Sequence, residues 1–216
     1  MNAPEKSPIS IQWLGRVDFQ QSLALQDRLV SERRAGAIPD QLLLLEHDPV
    51  YTIGRTPDQS SLRDAAHLPH PVVQINRGGQ ATYHGPGQLV GYPILDLRNH
   101  GQDLHRYLRA LEDLLIKVCA DFRVTARRRE GLTGAWVIDR KIASIGVGFR
   151  HWISMHGFAL NVCGDLSPFH EITPCGIAGV EMTSIERECH RTVTVEEVAV
   201  TAGEIFSARL DTLLAS

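Results

Sequence analysis

Ala135-Trp136-Val137-Ile138-Asp139-Arg140-Lys141-Ile142-Ala143-Ser144-Ile145-Gly146-Val147-Gly148 reads as a β-hairpin. Two runs rich in β-branched and apolar residues flank the polar pair Asp139-Arg140, which supplies the turn, so Lys141 starts the returning strand. Strands joined by so short a turn are antiparallel. Met155 to Val162, containing His156-Gly157-Phe158-Ala159-Leu160-Asn161, predicts a further strand. Upstream, Leu42-Leu43-Leu44-Leu45 is a continuous apolar run between Pro39-Asp40 and Asp48-Pro49, the pattern of a central strand covered on both faces. Ile9 to Leu14, Val50 to Ile53, Val72 to Asn76 and Leu89 to Leu95 complete the strands, and Thr56 to Pro71 shows no period.

Helical spacing recurs in three places. Asp18, with Gln21 three residues on, opens a helix whose stripe is Phe19, Leu23, Leu29 and Val30, and Arg33-Arg34 near its end suits the helix dipole. Leu104, Leu108, Leu111, Leu115, Val118 and Phe122 mark a helix over Asp103 to Phe122. Thr194-Val195-Glu196-Glu197 is a capping box opening a last helix along Val195, Val198, Ile205, Leu210 and Leu213. Antiparallel hairpins mixed with three helices, without regular βαβ alternation, give an α+β architecture.

The chain of 216 residues predicts a single domain over 1–216, large enough to bury its own core. Hydrophobic residues are 43% and charged residues 22%, an ordinary globular balance. A net charge of −3 argues against nucleic acid as the main partner. Met1 to Pro8 has no apolar core of signal-peptide length, and no later run approaches the ~20 apolar residues of a membrane span, so a soluble, cytoplasmic protein without a membrane partner is expected. Cys119, Cys163, Cys175 and Cys189 lack C-x-x-C spacing and are expected as free thiols. Cys119 falls beside the apolar face of its helix and reads as a buried structural thiol. The spacings of His170, Cys175, Cys189 and His190 match no closed zinc site, so no metal and no cofactor are expected. Arg127-Arg128-Arg129-Glu130 reads as solvated surface, with docking of an acidic partner as its sharper alternative.

Two stretches carry the chemistry. Arg77-Gly78-Gly79-Gln80-Ala81-Thr82-Tyr83-His84-Gly85-Pro86-Gly87-Gln88 mixes glycines with hydrogen-bonding side chains, which suits a loop whose backbone approaches a ligand closely. Ile172-Thr173-Pro174-Cys175-Gly176-Ile177 sets a thiol on a constrained turn, where a nucleophile belongs. A free thiol is mostly protonated at neutral pH and needs a positive or basic neighbour to act. His84, His156, His170 and Lys141 are the candidates, and spacing does not choose among them.

Arg77 to Gln88, Lys141 to Gly146 with His156 to Asn161, and Thr173 to Gly176 together resemble the lipoyl(octanoyl) transferases of lipoate biosynthesis, in that family's order and over roughly Leu42 to Ile185. The resemblance implies the mixed sheet flanked by helices of the biotin and lipoate protein ligases. It implies octanoyl transfer from acyl carrier protein, through a cysteine thioester, to a lysine on lipoyl domains of 2-oxoacid dehydrogenase complexes or on the glycine-cleavage H protein. Carried over, Cys175 is the nucleophile and Lys141 the residue that favours its thiolate. Arg77, Gly78, Gly79, Gln80, Ala81, Thr82, Tyr83, His84, Ser144, Ile145, Gly146, Gly157, Phe158 and Ala159 line the acyl pocket. Three other readings stand beside it: an ATP-dependent ligase on the same scaffold, a cysteine hydrolase, and a carrier-binding module without turnover.

Overall fold

The computed structural model describes residues 9–215, without the side chains of 99 and 210–215. The N-terminal tail and the stripe positions Leu210 and Leu213 lie outside the described residues and side chains. In chain order the elements are β1 (Ser10–Val17), α1 (Phe19–Arg34), β2 (Gln41–His47), β3 (Val50–Ile53), β4 (Val72–Gln74), β5 (Thr82–His84), β6 (Gln88–Ile94) and α2 (Leu104–Asp121). After these come β7 (Arg127–Arg129), β8 (Leu132–Val137), β9 (Arg140–Arg150), β10 (Ile153–Asn161), β11 (Glu181–Met182), α3 (Ile185–Cys189) and α4 (Val195–Ala215).

One large sheet runs β1-β2-β6-β10-β9-β8-β7, with β11 alongside β9. β1 and β2 are parallel across the α1 crossover, β11 is parallel to β9, and the other neighbours are antiparallel, so the sheet is mixed. A small sheet, β4-β3-β5, stands apart from it. Helices cover both faces of the large sheet, as the α+β reading expects. Leu42 and Leu44 turn toward α2 and α4, while Leu43 and Leu45 turn toward α1. This alternation explains the unbroken leucine run: both faces of β2 are buried. β2 is nevertheless one strand in from the edge, because α1 returns β1 beside it and leaves β6 and β10 in the middle. Two-sided burial is what an apolar run records, and it does not depend on rank within a sheet.

The helix ends follow their sequence signals. The Asp18 carboxylate accepts from the Gln21 amide at 3.0 Å, and Asp103 accepts from the Arg106 amide at 3.0 Å. Thr194 and Glu197 close a reciprocal capping box at 2.8 and 3.2 Å. Four local expectations are revised. The Gly-rich stretch is not one loop: Thr82–His84 is strand β5, paired with β3, a period-2 segment that the surrounding glycines obscure. Two 3-10 turns, Ser60–Leu62 and Ala65–His67, occupy the stretch that showed no period. Arg127–Arg129 is an edge strand, exposed yet partnered: Arg128 reaches Glu112 at 3.0 Å and Asp113 at 2.7 Å, and Arg129 lies over Trp136. Between β8 and β9 the turn falls at Ile138-Asp139, with Ile138 at φ 55°, so Arg140 rather than Lys141 begins β9.

Candidate active site

A β-bulge decides what β9 presents. Ala135 pairs with Ala143 but Trp136 pairs with Lys141, so β9 carries one residue more than β8 between those pairs. In a regular strand residues 141 and 144 would face opposite sides; an inserted residue re-aims the chain. Here Ile142 and Ala143 both pack into the α2 and α4 core, and Lys141 and Ser144 both reach the same sulfur. Lys141 Nζ lies 3.2 Å from Cys175 Sγ, and Ser144 Oγ lies 3.6 Å from it. Lys141 is 2% exposed, and its ammonium sits 5.2 Å from the centre of the buried Trp136 ring, which narrows the directions it can take.

Cys175 occupies a 3-10 turn, Pro174–Gly176, with its own backbone left-handed at φ 57° and ψ 18°. Its amide donates to Ala81 O at 2.8 Å, which ties the thiol's turn to the Gly-rich segment. The adjacent carbonyl, Gln80 O, accepts from the Arg77 guanidinium at 3.0 Å. Arg77 is 7% exposed and also donates to Gly78 O, Thr52 O and Thr52 Oγ1, each at 2.9 Å. Gly176 is needed for its φ of 71° and because a Cβ there would press on the Gln80 side chain at 2.9 Å.

These groups open on a cavity of about 580 Å3, within the range of about 300 to 1,000 Å3 usual for small-ligand sites. Arg77, Gly78, Gly79, Gln80, Thr82, His84, Ser144, Ile145, Gly146, Gly157, Phe158, Ala159, Lys141 and Cys175 all border it. Ala81 and Tyr83 do not: Ala81 is fully buried, and Tyr83 points the other way on β5, against Tyr51 and Phe169. Sequence reasoning missed Leu104 and Leu108, the first turns of the α2 stripe, which face the cavity with Phe149 and Val147. The exposure of Leu104, at 40%, is the mark of a stripe that runs past the core. Among the described residues the wall holds three cations, Arg55, Arg77 and Lys141, and no carboxylate.

Geometry also separates lysine from histidine. Burial, then the neighbouring His47, holds the His84 pKa down to about 3, and its ring is engaged by Gln88 at 2.8 Å. Burial, then the Arg77 charge, holds His156 at about 4. Both are neutral imidazoles near neutral pH, and neither is hydrogen-bonded to the sulfur. His170 lies on the exposed side of the Cys175 segment, its carbonyl accepting from Arg63 at 2.7 Å. Burial pushes the Cys119 thiol up to about 12, in keeping with a structural role. All four cysteines are free. Among the described residues no three His, Cys, Asp or Glu side chains group as a metal set, and no helix is long and apolar enough to cross a membrane.

Residues 18–207 match the lipoyl protein ligase A/B catalytic domain. The chain belongs to that family. The octanoyltransferase of Geotalea uraniireducens is 54% identical over 198 residues, covering 92% of this chain and 91% of its own. That of Geobacter sulfurreducens is 52% identical over 194 residues, covering 90% and 81%. Among solved structures, the bipartite lipoate protein ligase of Thermoplasma acidophilum superposes with a TM-score of 0.69 at 15% identity, over 94% of this chain and 84% of that one. The biotin protein ligase of Aquifex aeolicus does so at 0.57 and 12% identity, over 96% and 71%. At those identities the likeness is one of fold, and it bears out the ligase-like mixed sheet. In this lipoyl protein ligase A/B catalytic domain, then, the bulged strand and the Gly-rich segment meet at the Cys175 turn.

Proposed function

We propose that the protein is an octanoyltransferase, a single catalytic domain that carries an octanoyl group from acyl carrier protein to a lysine of lipoyl domains or H protein in the cytoplasm. The observation that carries the reading is the 3.2 Å contact of Lys141 Nζ with Cys175 Sγ, in a wall without carboxylates among the described residues. A fixed ammonium beside the sulfur favours the thiolate, the form that attacks. The thiolate adds to the donor's thioester carbonyl, and the tetrahedral oxyanion needs donors already aimed at it. The amides of Cys175, Gly176 and Gly78 are spent on Ala81 O, Thr173 O and Val147 O. Gly79 and Gln80, which border the cavity, have no backbone acceptor among the described residues and are the amides free to receive the oxyanion.

Collapse expels the donor thiolate, which takes a proton from the Lys141 ammonium and leaves an octanoyl thioester on Cys175. In the second half-reaction the acceptor amine adds to that thioester while the now neutral Lys141 removes its proton, and the Cys175 thiolate departs. Thioester exchange is nearly isoenergetic and thioester to amide runs downhill, so no ATP is required. Ile145, Val147, Phe149, Phe158, Leu104 and Leu108 offer apolar surface to the chain, each buried methylene contributing about 0.8 kcal/mol.

The test is intact mass after incubation with octanoyl-acyl carrier protein and no ATP. An octanoyl adduct on the wild type, absent in Cys175→Ser and chased onto a lipoyl domain, supports the reading. Modification that appears only with ATP and free acid would overturn it in favour of a ligase.

A further inference from the structure

Of the three cations bordering the cavity, two have an internal use and one has none. Lys141 meets Cys175, and the Arg77 guanidinium is consumed by carbonyls and the Thr52 hydroxyl. Arg55 is exposed, borders the same cavity, and has no side-chain hydrogen bond or ion pair among the described residues. Its backbone, by contrast, is held firmly. The Arg55 amide donates to Arg77 O at 3.0 Å, and the Thr56 amide turns back to Gly54 O at 2.9 Å. A Cβ at Gly54 would collide with the carbonyl oxygens of Gly79 and Arg77, so only glycine lets this turn lie so close to the Gly-rich segment. The Thr56 hydroxyl accepts from the Gln80 side chain at 3.4 Å. A clamped turn thus presents an uncommitted guanidinium at a cavity whose wall offers it no carboxylate, in a chain with a net charge of −3.

We propose that Arg55 is the subsite for a phosphate group on the incoming thioester donor, the phosphodiester of a carrier protein's phosphopantetheine arm. This rests on the octanoyltransferase reading, which brings such a donor to the cavity. A guanidinium pairs with phosphate oxygens through parallel N–H donors and forms stronger, charge-assisted hydrogen bonds there. The exposed position lets the anion arrive hydrated and leave with the spent donor. Arg63 is not the same kind of residue: it spends its donors on Thr173 Oγ1 at 3.2 Å and His170 O at 2.7 Å, holding the Cys175 segment.

The experiment compares two soluble donors, octanoyl-phosphopantetheine and octanoyl-pantetheine, by the rate of Cys175 acylation in the wild type and in Arg55→Met and Arg55→Lys. The wild type should prefer the phosphorylated donor by about tenfold in kcat/KM, as expected for one charge-assisted contact. Arg55→Met should bring that ratio near one, with the loss in KM, and Arg55→Lys should restore part of it. A preference undiminished in Arg55→Met overturns the subsite, as does a variant that instead raises KM for the lipoyl-domain acceptor. A wild type acylated by neither these donors nor octanoyl-acyl carrier protein would remove the transferase reading itself, and the subsite with it.

Discussion

Cys175 is a cysteine in a backbone conformation that favours glycine. Its φ of 57° costs an L-residue about 1 to 2 kcal/mol, and the anchoring bond from its amide to Ala81 O keeps it there. Cys175→Gly is therefore expected to be more stable than Cys175→Ala by about 1 kcal/mol in urea denaturation, although neither carries a thiol. Equal midpoints would show that the turn relaxes once the sulfur is gone. Lys141→Ala should slow alkylation of Cys175 by at least about tenfold at pH 7 and move its pH dependence to the alkaline side; an unchanged profile, followed by peptide mass, would take the lysine out of the activating role. The two residues were unequally legible. Pro-Cys-Gly announces a constrained turn in the sequence itself. Lys141 reads from spacing as an ordinary hairpin lysine, and only the likeness to a family singled it out, because its direction depends on a bulge that leaves no compositional trace.

At the scale of elements, Glu112 links α2 to the β7–β8 hairpin. It is 1% exposed and accepts from Arg109 at 2.6 Å, Arg128 at 3.0 Å and the Gly134 amide at 3.0 Å. Glu112→Ala would strand the buried Gly134 amide, while Arg109 and Arg128 are more than a third exposed and Arg128 keeps Asp113 at 2.7 Å. The cost is that of one unsatisfied buried donor, about 1 to 3 kcal/mol. A loss of about 2 kcal/mol in denaturant unfolding is expected, against little change for Arg127→Glu on the exposed strand. Comparable values for the two variants would deny Glu112 its linking role. The arginine run showed its charge in the sequence but not its partners, since those of Arg128 come from a helix more than ten residues upstream and those of Arg129 from the neighbouring strand and its turn. Strands with a clear apolar pattern, such as β2 and β10, were readable. β5, short and set among glycines, was not, and α3 offers only five residues to any periodicity.

Across the whole molecule, a cluster of neutral imidazoles ties the two sheets to α1. His47 bonds Val17 O and the Tyr92 hydroxyl, each at 2.8 Å, and its ring approaches those of Phe19 and His84. Burial lowers the pKa of His47, and holds His84 at about 3 and His156 at about 4. Unfolding exposes rings that protonate near 6.5, so below that pH the unfolded chain binds protons that the folded one refuses. Stability is complete above about pH 6.5 and falls as pH drops toward 4, by up to about 1.4 kcal/mol per unit for each ring. Thermal midpoints taken from pH 7 to pH 4.5 should decline, and His84→Gln should flatten the slope; a wild-type midpoint constant over that range would contradict the assignment. The bulge at Ile142 has a reach of the same breadth. Because β9 changes phase there, the residues before and after it obey different alternation, and the length of the hairpin becomes as much a part of the chemistry as its side chains. Straightening β9 with its residue count unchanged would turn Lys141 and Ser144, three apart, to opposite faces, whereas deleting Ile142 would leave them two apart on one face at the cost of a core side chain. In this protein a break in regularity is the condition for two side chains set three apart in the sequence to share one target.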